Sequence, residues 1–437
     1  MSRPQHFGWF LARGFGPQGW GYPSLEWDYD WTRPEIYQDA ARTLEQAGFD
    51  LVIIEDAPSL GSPSTIDLRV RHAFGGPKHD PLLLAPYLFQ ATRHLGVVPT
   101  VNPAAYLPYT AARQFATLQH LSGHRLGLNV VTDTGSARHF SAAPQLGHDE
   151  AYDRAEEWLD GIRALWRSWD DGALLADRET DVYADGTRLR AVEHRGEHFD
   201  FDGPLNAVPF TDGDPAIVSP GGSGRGLGFA GANSDVQLAL APLNEKSVRD
   251  YRARVHDAAT ESGRRPEDIK ILFAIQSVIT PSAEEADRIV AASAHPDDAA
   301  LVQIARKQSS DLETDLTSLD LDRPLDLSVF GAHVSRGSIQ RLIGDRGEEA
   351  PLRAHLSALA RAGRISDRTG FVGTAEEFAD LIEELGEWGN DGVLLWGDFH
   401  PVTLHRTLDE LVPVLRRRGI LRREYADGGL QANLRAF

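Results

Sequence analysis

The chain has no cysteine. That excludes disulfides, cysteine-ligated zinc, iron–sulfur clusters and a thiol nucleophile, and it fits a reducing, cytoplasmic setting. Basic residues are also short: 44 Lys and Arg stand against 64 Asp and Glu, a formal net charge of −20. Nucleic-acid binders need clustered cations to neutralise phosphates, so nucleic acid is not an expected partner. The densest basic run, Arg416-Arg417-Arg418 with Arg422-Arg423, closes a helical pattern, where cations complement the helix dipole. No stretch approaches the ~18 apolar residues of a membrane span, and Met1-Ser2-Arg3-Pro4-Gln5-His6 opens no long apolar run of the secretory kind. Zinc spacings are missing too. His194 and His198 stand four apart, but in a strand-like context, and no metal site is expected. There is no internal repeat and no low-complexity tract.

What is present is a regular alternation. Short apolar runs at 6–13, 49–55, 94–101, 125–132, 215–220, 235–241, 269–280 and 392–396 read as eight strands. Longer amphipathic runs at 32–48, 80–92, 108–121, 148–169, 225–232, 245–262, 374–388 and 403–418 read as helices. Thr32 is a candidate cap for the first of these and Gly48 its stop. Strands that alternate with helices imply a parallel sheet, and eight such units suit a closed ring better than an open sheet. The expected fold is α/β, a (β/α)₈ TIM barrel, forming a single domain over 1–437 with insertions near 14–31, 57–80, 173–205 and 295–368.

In such barrels the active site is built at the C-terminal ends of the strands. That rule selects Glu55-Asp56, Thr100-Val101-Asn102, the end of the fourth strand from Asn129, Ser219, and Trp396-Gly397-Asp398 with His400 just beyond. The run Ser219-Pro220-Gly221-Gly222-Ser223-Gly224-Arg225-Gly226 follows a strand and opens a helix, so its amides make an anion site to which Ser223 can add a hydroxyl and Arg225 a charge. Gly226-Leu227-Gly228-Phe229-Ala230-Gly231 matches the dinucleotide fingerprint literally but lies too far past its strand. His148 and Tyr152 share one helix face. The segment 14–31 carries Trp20, Trp27 and Trp31 on a Gly/Pro-rich loop, suited to a flat ligand and to excluding water, or simply to packing over the barrel.

Several stretches, taken in order, are similar to one known family. They are ARTLEQAGFDLVIIEDA (41–57), ARQFATLQHLSGHRLGLNVVT (112–132), HDEAYDRAEEWLDGIRALWRSW (148–169), HRGEHFDFDGPLN (194–206), FVGTAEEFADLIEELGEWGNDGVLLW (371–396) and RRRGILRREYADGGLQANL (416–434). The chain resembles the bacterial luciferase-like flavin monooxygenases, within them the nitrilotriacetate and dibenzothiophene-sulfone monooxygenase group. The resemblance implies a barrel that binds FMN and, as FMNH₂, activates O₂ through a flavin peroxide to oxygenate a small organic substrate. It further implies a separate NAD(P)H:flavin reductase as partner and assembly as a homodimer or homotetramer. Carried over position by position, Asp56, Thr100, Asn102, Asn129 and Val130 border the flavin ring, His148 and Tyr152 the ribityl and phosphate, and Gly222 and Ser223 the phosphate loop. His400, Asp398 and His333 are candidates for a catalytic acid or base, by position or composition only. The phosphate loop departs from the family's A-G-S-S-E-x-G, losing one hydroxyl and gaining Arg225. Two rival readings remain at this point: an F420-dependent hydride-transfer enzyme of the same superfamily, and a flavin-binding barrel without catalysis.

Overall fold

All eight apolar runs form strands, and their register closes them into one parallel barrel. A computed structural model describes residues 3–11, 30–61, 66–71, 76–132, 136, 139–140, 146–210, 213–312, 314–330, 339, 342–366 and 369–437. The barrel strands are β1 (His6–Leu11), β2 (Leu51–Ile54), β3 (Gly96–Val101), β4 (Gly127–Val130), β5 (Ala216–Ser219), β6 (Val236–Ala239), β7 (Lys270–Ile279) and β8 (Gly392–Gly397). Each pairs in parallel with its sequence neighbours, and β8 pairs with β1 to close the ring. The outer helices of the barrel are α1 (Glu35–Ala47), α2 (Pro81–Ala91), α3 (Pro108–Leu121), α4 (His148–Trp166), α5 (Gly224–Asn233), α6 (Glu245–Glu261), α7 (Ala375–Glu387) and α8 (Pro401–Arg418); a short helix, Ile66–Arg71, precedes α2, and the expected helix near 283–294 forms as Ala283–Ser293 directly after β7. Among the described residues no helix is long and apolar enough to cross a membrane.

Strand alternation sorts the core into two shells. Leu51, Ile53, Val98, Val218, Val236, Leu238, Leu272 and Leu394 fill the barrel. Phe7, Trp9, Val52, Val97, Val101, Val130 and Ile217 face outward and pack against the helices. The C-terminal helix Gly429–Leu434 stoppers the bottom, where Leu430 and Leu434 join the inner shell. The wall makes room for Leu430 by omitting side chains. A Cβ on Gly96 would lie 2.6 Å from its Cδ1, and one on Gly127 3.2 Å from its Cδ2. Buried Arg422 ties this tail to the barrel through Asp50 and through Asn433 at 2.9 Å.

Local chemistry sets several boundaries. Thr374 and Glu377 form a capping box at the start of α7. Thr32 does not cap α1: its hydroxyl goes to Asp30, and the helix begins after Pro34. The insertion at 173–205 is two antiparallel hairpins. The second docks on α4, where Glu157 accepts the His198 and Phe199 amides at 2.9 Å and meets His194 Nε2 at the same distance. The insertion at 295–368 carries helices Asp298–Leu312 and Leu352–Ala360, which share an apolar cluster of their own around Leu301, Leu316, Leu325 and Leu356. An unanticipated short strand, Gly370–Gly373, adds to the overhanging end of β7, outside the closed ring.

Candidate active site

The ends of β3 and β4 form a polar floor. Thr100 and Asn129 are register partners, and Asn129 Nδ2 donates to Thr100 Oγ1 at 2.9 Å. Both are buried, at 4% and 3% exposure. Asn129 Oδ1 has no partner among the described residues, and an orphaned buried carbonyl oxygen costs about 1–3 kcal/mol, so this atom is available to a ligand's donor. Asn102 is buried beside them, its Oδ1 accepting the Ala104 amide at 3.0 Å. Val130 is turned away. Its side chain packs in the outer shell, because it follows inward-facing Asn129 by one position, and only its backbone faces the mouth.

Above the floor opens a cavity of about 510 Å³, bordered by Asp56, Lys78, Asp80, Thr100, Asn102, Tyr106 and Phe140. Lys78 Nζ, almost fully buried, pairs with Glu55 at 2.8 Å. Asp56 receives no such partner. Burial, with Glu55 and Asp80 acting in the same direction, pushes its carboxyl up to about 6 against the pull of Lys78. Burial and the charges of Asp80 and Asp56 likewise push the Tyr106 phenol well above its ordinary range. Asp80 caps α2, its Oδ1 accepting the Leu83 amide at 3.0 Å. His79 lies 3.1 Å from the Trp31 carbonyl and against the Trp31 ring. The rest of the aromatic loop, with Trp20 and Trp27, lies outside the described residues.

At the same end of the barrel two helix N-termini converge. Ser223 caps α5, its Oγ accepting the Gly226 amide at 3.0 Å, and it stands 3.4 Å from Nε2 of His148, the first residue of α4. Tyr152, one turn on, presses its ring against His148. A Cβ on Gly221 would come within 2.8 Å of the Tyr152 hydroxyl, whereas Gly222 and Gly224 look onto open space. Helix-start amides, a hydroxyl, an imidazole and two helix dipoles around an open cradle suit a phosphate. Gln237, which the sequence did not single out, supports the loop from behind by donating to the Gly221 carbonyl at 2.9 Å.

One expectation about this loop is corrected and another holds. Arg225 adds no charge to the cradle, because its guanidinium is held by Glu156 at 2.8 Å and Asp153 at 2.7 Å on α4. The fingerprint glycines lie inside α5, as their distance from β5 requires, and Gly231 is there for contact: a Cβ would sit 2.4 Å from the Ala258 backbone of α6.

The end of β8 holds the remaining candidates. His400 caps α8, its Nδ1 accepting the Val402 amide at 3.2 Å, while its own amide donates to Asp398 at 3.0 Å. Burial pushes the His400 imidazole down, toward the neutral form, and the Asp398 carboxyl up. His333 lies outside the described residues. Sequence reading passed over Phe10, which meets Trp396 across the β1–β8 register with ring centroids 5.5 Å apart, both half-buried at the mouth. The signal was available, since both fall on the inward parity of their strands.

The residues from 6 to 392 match the family described as luciferase-like monooxygenase. The chain is 31% identical to dibenzothiophene-sulfone monooxygenase of Rhodococcus erythropolis (strain XP), covering 99% of this chain and 97% of that one. It is 30% identical to nitrilotriacetate monooxygenase component A of Aminobacter aminovorans, over 97% and 94% of the two chains. Among solved structures it is similar to a riboflavin lyase holding a modified FMN and riboflavin, with a TM-score of 0.80, 26% identity and coverage of 100% and 96%. A closed parallel barrel, a site at its strand ends and matches of this extent agree: the chain is a flavin-dependent monooxygenase belonging to the luciferase-like monooxygenase family.

Proposed function

We propose that this protein uses reduced FMN and O₂ to oxygenate a small organic substrate, and that a separate NAD(P)H:flavin reductase supplies the reduced FMN. The observation that carries the reading is the convergence of Ser223 and His148 on an open glycine cradle at the barrel end that also holds the Asn129 floor. The cradle would take the phosphate through Gly222, Ser223 and His148, with Tyr152 beside the ribityl chain. Asp56, Thr100, Asn102 and Asn129 would border the ring, and Val130 would reach it through its backbone only. When bound, reduced FMN supplies the two electrons that let one atom of O₂ enter the substrate while the other leaves as water. The chain's own residues would orient the ring, with the orphaned Asn129 oxygen accepting a hydrogen bond from it, and would keep water from the reacting edge. The similarity to a riboflavin lyase that holds a modified FMN supports FMN over F420, and the similarity to a monooxygenase designated component A supports a two-component system.

The fold supports reductase dependence. Among the described residues the strands outside the eight-stranded ring form two small hairpins and one edge strand, and the dinucleotide-like glycines lie inside α5, with Gly231 against the α6 backbone. The test is anaerobic mixing of purified protein, FMN and NAD(P)H. The oxidised-flavin absorbance is expected to persist until a flavin reductase is added. Bleaching at a catalytic rate without the reductase would overturn the two-component reading.

A further inference from the structure

Beneath the glycine cradle two polar side chains, Ser219 and Gln237, stand side by side in the β5–β6 register. Their neighbours Val218, Val236 and Leu238 fill the barrel, so strand alternation turns both outward, toward the helices. Both are buried, and a buried amide is costly unless its partners are in place. Those of Gln237 are. Its Oε1 accepts the Ser219 hydroxyl at 2.9 Å, and its Nε2 donates to the Gly221 carbonyl and to the Tyr251 hydroxyl of α6, each at 2.9 Å. A carbonyl oxygen can only accept, so the bond to Gly221 fixes which end of the amide faces the loop. The Ser234 hydroxyl, 2.8 Å from that of Ser219, completes the chain.

What this chain holds is the direction of one peptide group. The Gly221 α-carbon is wedged, since a Cβ there would lie 2.8 Å from both the Gly226 α-carbon and the Tyr152 hydroxyl. The wedge leaves the next peptide free to turn over, because glycines flank it on both sides and neither restricts its own backbone. The Gly221–Gly222 bond is trans, and the carbonyl and N–H of a trans peptide point opposite ways. Gln237 draws the carbonyl back toward the barrel. The Gly222 N–H is thereby aimed away from the barrel, where Gly222 looks onto open space. Turned over, the same peptide would offer the cradle a carbonyl oxygen in place of an amide hydrogen. The structure assigns Gln237 the role of a positioning residue: it locks the Gly221–Gly222 peptide with its N–H toward the flavin phosphate, and so sets the preference for FMN over riboflavin. The inference rests on the proposed function only in taking the cradle as the phosphate's place.

The test is fluorescence titration of FMN and of riboflavin into the full-length protein, for the wild type, Gln237→Leu and Tyr251→Phe, with thermal unfolding of each. The wild type is expected to bind FMN on the order of 100-fold more tightly than riboflavin. Gln237→Leu, which keeps the bulk and removes the donor, is expected to weaken FMN about tenfold or more and to leave riboflavin within about twofold. Tyr251→Phe breaks a bond to the same amide but spares the one to Gly221. It is expected to lower the melting temperature with the FMN-to-riboflavin ratio unchanged, a split that a merely structural network would not produce. Ser219→Ala leaves the amide oxygen without its donor and should reduce the ratio about threefold, serving in the same direction should Gln237→Leu fail to fold. An undiminished FMN preference in Gln237→Leu, or in Ser219→Ala if that is the variant that folds, would overturn the assignment and leave the cradle standing. An equal loss of preference in Tyr251→Phe would do the same. A wild type that binds FMN no more tightly than riboflavin would sink the cradle itself, and the assignment with it.

Discussion

Asp56 carries a cost where it stands. Its folded-state pKa of about 6 lies above the ordinary 3.8, so between these values the folded chain holds a proton that the unfolded chain has released. Stability contributed by this group therefore falls as pH rises from about 4 to 6, and stays reduced above that window. Asp56→Asn should stabilise the protein at pH 7.5 by up to ~3 kcal/mol, with the gain gone near pH 4; urea unfolding at the two pH values checks this, and a pH-independent difference would contradict it. Ser223→Asp should weaken FMN binding at least ~100-fold by setting a carboxylate against the phosphate. Fluorescence titration with FMN reads it, and an unchanged affinity would put the phosphate elsewhere. At this scale the positions of Ser223, His148, Thr100 and Asn129 at strand ends or helix starts were legible, because the local pattern announces those boundaries. Arg225 was not, since its partners Glu156 and Asp153 lie on another helix and are brought to it only by packing. The Val130 side chain packs outward while that of Asn129 faces in, because neighbouring strand residues point opposite ways.

Among elements, the strands and their helices were readable because period and punctuation agree along the chain. The roles of the connecting pieces were not. The tail after α8 has mixed composition, and nothing in it states that Leu430 enters the barrel; that becomes clear only with Gly96 and Gly127 lining the space it fills. Leu430→Ala should cost about 2–5 kcal/mol, the usual range for a fully buried leucine in a wall that cannot collapse. Chemical denaturation would measure it, and a loss below ~1 kcal/mol would mean that the stopper is dispensable. The hairpins at 173–205 show the same limit. Their strands are three or four residues long, too short to carry a period, and Glu157 on α4 organises the second from outside it.

For the whole molecule, closure of the ring places every strand end on one face, so residues far apart in sequence meet there without any motif linking them. That is why the fold and the strand-end positions could be read in advance while the lining of the cavity could not: Asp56, Lys78, Tyr106 and Phe140 become neighbours only after the barrel closes. The terminal arginines show how the outside is finished. Arg418 binds Glu376, Asp380 and Glu383 on the preceding helix, so the basic run that closes α8 is bound to acidic side chains of α7. As proposed above, this barrel receives reduced FMN and directs its reaction with O₂. The most direct measurement is an anaerobic titration of the purified protein with FMNH₂ and, separately, with reduced F420, followed by admission of O₂. The account predicts saturable binding of FMNH₂ near one per chain, no binding of reduced F420, and H₂O₂ release from the complex slower than from free FMNH₂. Binding of reduced F420 in place of FMNH₂, or H₂O₂ release at the rate of the free flavin, would contradict it.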